Sequence, residues 1–281
     1  MKRRQNFKIV KESGRRESFL EEKLFRSLIL SGSDEKLAKL ILEKIRPKLH
    51  EGIKTGQIYR LAFRELKRYS KVKALHYGLK KSLIGLGPEG FFFEKFISYL
   101  FIKQGFEVSL DLEKPGKCAE HEIDIIATKN DASYFVECKF HNSPSKKNNL
   151  KTALYVSARA RDLKESVHFN NEFYFDKFFL ISNSKFTEDA ISYSHCANIT
   201  LIGSNYPFKK NLYDLILEYK LFPITSLSKL KKRDVLKLFE NNIFLCEQIK
   251  DNPIILDQFM FEEKYQLQII NEVTKFFSGD E

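Results

Sequence analysis

The stretch HEIDIIATKNDASYFVECKF, residues 121–140, constrains the fold more than any other part of the chain. It reads as two short apolar strands joined by a polar NDAS turn. Each strand nevertheless carries charge, Asp124 inside an Ile run and Glu137 and Lys139 inside a Tyr-Phe-Val run. An unpaired carboxylate or ammonium is costly to bury, so a strand interior tolerates one only where it pairs or holds a metal. Side chains alternate along a strand, which puts Glu137 and Lys139 on one face and Cys138 on the other. If the strands pair across the turn, Asp124, Glu137 and Lys139 converge at one edge.

Two carboxylates crowded together each resist ionising unless a cation relieves the repulsion, and a hard divalent ion does so through oxygen ligands. Two duties are then open to the lysine. It stabilises negative charge developing on a phosphate, or it orients the attacking water and helps to deprotonate it. Water bound to a metal is also a better nucleophile near neutral pH. Together these are the parts of phosphodiester hydrolysis.

The flanking sequence supports an α/β domain over residues 88–218. A Phe-rich stretch, GFFFEKFISYLFIKQG, has apolar positions at Phe92, Phe93, Phe96, Ile97, Leu100 and Phe101 and is predicted to be a core-facing helix that carries Glu94. Strand-like FEVSLDLE follows, then the charged pair, then further strands around FDKFFLIS and ANITLIG with helices between them. That alternation implies a mixed sheet. The ordered set of Glu94, Asp124 and Glu137-Cys138-Lys139 resembles the PD-(D/E)xK nuclease superfamily and, within it, the Mrr-like restriction endonucleases. LYVSARARD, FLISNSKFTEDAISYSHC and ITLIG resemble the later helices and strands of that core. Ile123 stands where the family label has proline, and Glu137 is a full carboxylate where many Mrr-like proteins have Gln. The resemblance implies Glu94, Asp124, Glu137 and Lys139 as catalytic residues. It implies Mg²⁺ or Mn²⁺ held by Glu94, Asp124, Glu137 and the Cys138 carbonyl. His121, Glu122 and His141 flank the set, while Arg159, Arg161 and Lys164 lie on a helix that faces DNA or pairs with Asp162 and Glu165.

The first 86 residues open with a predicted hairpin, FKIVKESGRRESF, turning at Ser13-Gly14, and continue in four amphipathic helical patterns. Three ordered elements, IVKESGRRESFLEEKL, GIKTGQIYR and ALHYGLKK, resemble the ATP-cone, the nucleotide-sensing module of ribonucleotide reductases and their repressors. The resemblance assigns nucleotide contacts to Val10, Lys11, Glu17, Lys23 and Thr55, with ATP or dATP as an allosteric ligand. The basic-acidic pair usual before the turn glycine is here Glu12-Ser13. Residues 221–281 are expected to form short amphipathic helices broken at Asn241-Asn242 and Asn252-Pro253. They resemble the helix-hairpin-helix type of small domain, as in the N-terminal domains of Rad51-like recombinases. SLSKLKKRD lacks the glycines of such a hairpin, so its lysines serve DNA through side-chain charge, or the domain serves protein contacts.

The chain has 281 residues and a net charge of +11, a balance that favours a polyanionic partner. No apolar run is long enough to span a membrane. MKRRQNFKIV lacks the apolar core of a signal peptide, and Cys118, Cys138, Cys196 and Cys246 show neither zinc-type nor disulfide-type spacing. The expectation is a cytoplasmic, multidomain α/β protein: a nucleotide-regulated, divalent-metal-dependent DNA endonuclease acting as a homodimer or higher homo-oligomer. The alternative is a non-catalytic, nucleotide-sensing DNA-binding regulator that keeps a nuclease fold as scaffold.

Overall fold

In a computed structural model, residues 7–11, 14–87, 90–143, 146–170 and 174–278 are described. The chain divides into two compact units, residues 1–79 and residues 80–277. None of the described helices is long and apolar enough to cross a membrane.

The first unit opens with strands β1 (Lys8–Val10) and β2 (Arg16–Ser18), paired antiparallel with Ile9 opposite Glu17. Gly14 sits in the turn with φ of 82°, a conformation that glycine adopts without strain. Glu12 and Ser13 lie outside the described residues. Helices α1 (Glu21–Leu30), α2 (Glu35–Ile45), α3 (Thr55–Tyr69) and α4 (Lys71–Ile84) follow, as the four apolar patterns require, and the end of α4 from Lys80 onward belongs to the second unit. Gly32, with φ of 83°, lies just past α1. Asp34 caps α2 by accepting a 2.7 Å hydrogen bond from the Leu37 amide. Leu24 and Leu28 of α1, Ile41 and Ile45 of α2 and Ile58 and Leu66 of α3 form the buried centre, with Phe25 and Ile29 packed at its margin.

The second unit is built on a five-stranded mixed sheet. Helix α5 (Gly90–Ile102) leads into β3 (Glu107–Pro115), β4 (Glu120–Lys129) and β5 (Ala132–Lys139). Next come β6 (Lys147–Asn148), α6 (Leu150–Asn170), β7 (Lys177–Ser182), β8 (Lys185–Phe186), α7 (Glu188–Cys196) and β9 (Ile199–Ile202). The strand order is β3-β4-β5-β7-β9, antiparallel from β3 to β5 and parallel from β5 to β9. Asn130 and Asp131 join β4 to β5, both with positive φ (48° and 64°), which is the two-residue turn that matches strand twist. β6 and β8 form a separate parallel pair.

Adjacent residues of β5 show how the layers stack. Phe135 enters a core cluster with Ala153, Val156 and Leu163 of α6 and Ala190 of α7. Tyr134, pointing the other way, packs on Phe106 and Phe179, and Phe179 meets Phe101 of α5. The sheet therefore lies between α5 on one face and α6 with α7 on the other. The outer side of α5 is also covered: Phe92 packs at 4.9 Å, centroid to centroid, on Phe239 of α9 (Lys232–Glu240). The chain ends in α10 (Cys246–Asp251), a 3-10 segment (Pro253–Phe259) and α11 (Glu263–Phe277), after the short α8 (Leu212–Glu218). Residues after 221 thus share one compact unit with the sheet. All four cysteines are free, Cys138 and Cys246 buried and Cys118 and Cys196 exposed.

Candidate active site

The β4–β5 ladder is paired up to Ile125 and Val136. One step further in the same register, Asp124 stands opposite Glu137, where the two strands begin to part. Asp124 replaces the missing ladder bond: its Oδ2 accepts a 2.6 Å hydrogen bond from the Cys138 amide. The alternation of β4 slips at this point, because Ile123 and Ile126, three residues apart, both enter the α6-side core. On β3, the position that continues the register opposite Asp124 is Asp111, whose φ of 51° departs from strand geometry.

Glu137 is 1% exposed, the burial that its apolar neighbours imply. It is paired on both oxygens. Lys139 Nζ lies 2.5 Å from Oε1, and the Arg159 guanidinium binds Oε2. Arg159 also donates to the Glu122 carbonyl, and its guanidinium lies 5.4 Å from the Tyr155 ring centroid. A buried carboxylate is thereby held by two cations rather than left unpaired. Burial works against the Lys139 ammonium, but the charges of Glu137 and Asp124 and the bond to Glu137 outweigh it, so its pKa lies above the ordinary lysine value.

Glu94 projects from α5 towards the same corner. Burial, then the charge of Asp124, followed by Asp111, Glu137 and Glu122, pushes its carboxyl up to about 7. Asp124 is pushed up to about 6 by burial and then by Glu137, against the Cys138 amide, Lys139 and Arg159. In these two half-buried carboxyls, burial and neighbouring carboxylates outweigh the relief that Lys139 and Arg159 give Asp124. Hard oxygen donors in that state fit a divalent ion. Among the described residues, no three His, Cys, Asp or Glu side chains are already set around one point as a metal cage. Burial keeps the Cys138 thiol protonated, far above its ordinary pKa.

The other flagged residues have structural duties. His121 Nε2 lies 2.8 Å from Asp162 Oδ2, and Asp162 also accepts from the Cys118 and Ala119 amides, closing the β3–β4 loop. His141 Nε2 is 2.9 Å from Asn148 Oδ1. Lys164 lies over the Phe178 ring at 5.2 Å. Arg159 meets Glu137 rather than Asp162 or Glu165. Its role was legible: Val156, Arg159, Ala160 and Leu163 share one helical stripe, so an arginine there faces the core. A polar network at the ends of β5 and β7 had no such signal. Ser182 Oγ donates to the Lys139 carbonyl, Asn183 Oδ1 accepts from the His141 amide, and Asn148 Nδ2 donates to Ser184 Oγ.

In the first unit, Glu17 draws Lys11 (2.9 Å) and Lys23 (3.4 Å) together. The Lys11 hydrogen bond is the main cause that holds the Glu17 carboxyl below its usual range. The Val10 amide donates to the Ile53 carbonyl at 3.0 Å, and Val10 bridges Lys54, the residue before Thr55 at the start of α3. In the loop SLSKLKKRD the Lys229 amide donates to Glu272 Oε2 and the Lys231 amide to the Tyr265 hydroxyl, each at 2.9 Å.

This mixed sheet, with its charged strand end, defines a restriction-endonuclease-like domain, and the family described as restriction endonuclease matches residues 88–205. Residues 222–277 match the family described as AF1548-like, C-terminal. An uncharacterized protein of Archaeoglobus fulgidus is 33% identical over 150 residues, 53% of this chain and 81% of the archaeal protein. The crystal structure of AF1548, a protein of unknown function, superposes with a TM-score of 0.55 at 30% identity, covering 66% of this chain and 97% of that one. The chain belongs to this AF1548-like family.

Proposed function

We propose that the protein is a divalent-metal-dependent DNA endonuclease. One observation carries the reading: at the end of β5, in a domain of restriction-endonuclease type, the half-buried carboxyls of Glu94 and Asp124, both raised by burial and then by neighbouring carboxylates, stand with the Glu137–Lys139 pair. Glu94, Asp124 and Glu137, with the Cys138 carbonyl, are the groups that would hold Mg²⁺ or Mn²⁺. Such an ion supplies a water of lowered pKa and a positive charge on the phosphate. Of the two duties open to Lys139, its raised pKa supports the electrostatic one: a fixed ammonium steadies charge that builds up on the scissile phosphate. Arg159 keeps Glu137 in place, and Glu137 aims Lys139.

The Lys11–Glu17–Lys23 cluster beside the start of α3 supports an ATP or dATP site of ATP-cone type in the first unit. Nucleotide there alters assembly or access to DNA, and cutting two strands calls for two active sites, hence a homodimer. The Lys229 and Lys231 amides, already bonded to Glu272 and Tyr265, favour side-chain or protein contacts over backbone phosphate binding at those two positions.

A second reading has specific support. Both oxygens of Glu137 are committed to cations, which suits a nuclease fold retained as the scaffold of a nucleotide-sensing DNA-binding regulator. Supercoiled plasmid incubated with Mg²⁺ or Mn²⁺, with and without ATP and dATP, separates the two. Nicking that is lost in Lys139→Ala supports the enzyme, and intact plasmid under every condition supports the regulator.

A further inference from the structure

The β6–β8 pair has an outward side that the fold does not explain. In its parallel register Lys147 is the partner of Lys185, and Asn148 is the partner of Phe186. Asn148 and Phe186 point inward and are buried, so both lysines point outward on the same side. Like charges directly opposite across a strand pair are unfavourable. The charge of Lys185 also reaches Lys80 on α4, whose ammonium burial and then Lys185 hold below the ordinary lysine value. All three side chains are exposed. Among the described residues, no carboxylate is hydrogen-bonded or ion-paired to any of the three.

The three lysines come from segments far apart in sequence, so the crowding is made by the fold. It is also tied to the candidate active site. Asn148, next to Lys147, donates to Ser184, next to Lys185. Ser184 meets Ser182 at 3.2 Å, and Ser182 donates to the carbonyl of Lys139. The ridge and the Glu137–Lys139 pair are thus parts of one rigid strand end. A single small anion would satisfy one such ammonium. Separate, uncompensated ammoniums beside a site for phosphodiester chemistry match a polyanion that presents successive phosphates.

We propose that Lys80, Lys147 and Lys185 form a phosphate-binding ridge that seats the nucleic-acid backbone next to the scissile position. The inference rests on the nuclease reading for its direction, but its test does not. A short fluorescein-labelled DNA duplex is titrated with protein in EDTA over a series of KCl concentrations, and fluorescence anisotropy gives the affinity and its salt slope. The triple variant Lys80→Gln/Lys147→Gln/Lys185→Gln is expected to bind roughly tenfold more weakly at low salt, with a slope smaller by about 2–3, since each neutralised phosphate contributes about 0.9. Lys39→Gln, exposed on α2 and ion-paired to Glu35, keeps the wild-type slope. Should the triple variant fail to fold by circular dichroism, the single variants decide, each expected to lower the slope by about 1.

Unchanged affinity and slope in the folded variants overturn the ridge, even if wild-type protein nicks plasmid. Competition by millimolar inorganic phosphate as effective as that by unlabelled duplex also overturns it, in favour of a small-anion site. If wild-type protein cuts nothing but the slope falls as stated, the ridge stands and the nuclease reading fails.

Discussion

The Cys138 amide donates to Asp124 Oδ2 at 2.6 Å, so one carboxylate both closes the strand pair and faces the candidate ion site. Asn keeps an acceptor for that amide, and Ala does not. Asp124→Ala is therefore expected to lose about 1–3 kcal/mol for the unpaired buried N–H, and Asp124→Asn clearly less. Both abolish metal-dependent nicking. Urea unfolding next to the plasmid assay checks the split, and equal destabilisation by the two substitutions would contradict the capping role.

Glu94 and Asp124 also set a pH dependence. Their folded pKa values of about 7 and about 6 exceed the ordinary 4.5 and 3.8, so between pH 4 and 7 the folded chain keeps protons that the unfolded chain has released. The stability they contribute is full below pH 4 and falls as pH rises through that window. Millimolar Mn²⁺ raises the melting temperature at pH 7.5 and leaves it unchanged at pH 4.5. Calorimetry at the two pH values, with and without the ion, tests the sign.

Arg159→Met removes one of two cations from a carboxylate that is 1% exposed. The expected cost is about 3–5 kcal/mol, because Glu137 keeps only the half-exposed Lys139. Glu137→Gln in the same chain recovers part of that loss. The double-mutant cycle from urea titrations gives the coupling, and additive losses would mean that the pair is not energetically joined.

In the first unit, Lys23→Ala is expected to weaken ATP binding roughly tenfold, or about 1.4 kcal/mol, by removing a point charge from the triphosphate. Isothermal titration with ATP and dATP measures it. Wild-type protein that takes up neither nucleotide would rule out the ATP-cone reading.

The hairpin, the four helices after it and the Phe-rich helix were legible because each has a periodic apolar face bounded by turn residues such as Gly14, Gly32 or Gly105. Glu137 and Lys139 were legible from parity alone. The partner of Glu137 is harder to read: the stripe through Val156, Arg159 and Leu163 points to a buried arginine, but neighbouring Asp162 and Glu165 offer competing local pairs. Asp111 gave no signal, since nothing local marks a residue that will take positive φ. The Ser182–Ser184–Asn148 network is invisible in sequence, because its members meet only after β5 and β7 are laid parallel. The Lys147–Lys185 pairing is hidden for the same reason, since the two lysines become neighbours only when β6 and β8 pair.

The turn of Asn130 and Asp131 has one further consequence. Successive residues of β5 face opposite helices, so the length of this turn decides which chemistry meets Arg159. A one-residue slip of the hairpin would present the Cys138 thiol to the guanidinium and turn the acid towards the aromatic layer under α5. Two residues at a bend therefore set which side chains of β5 reach the site.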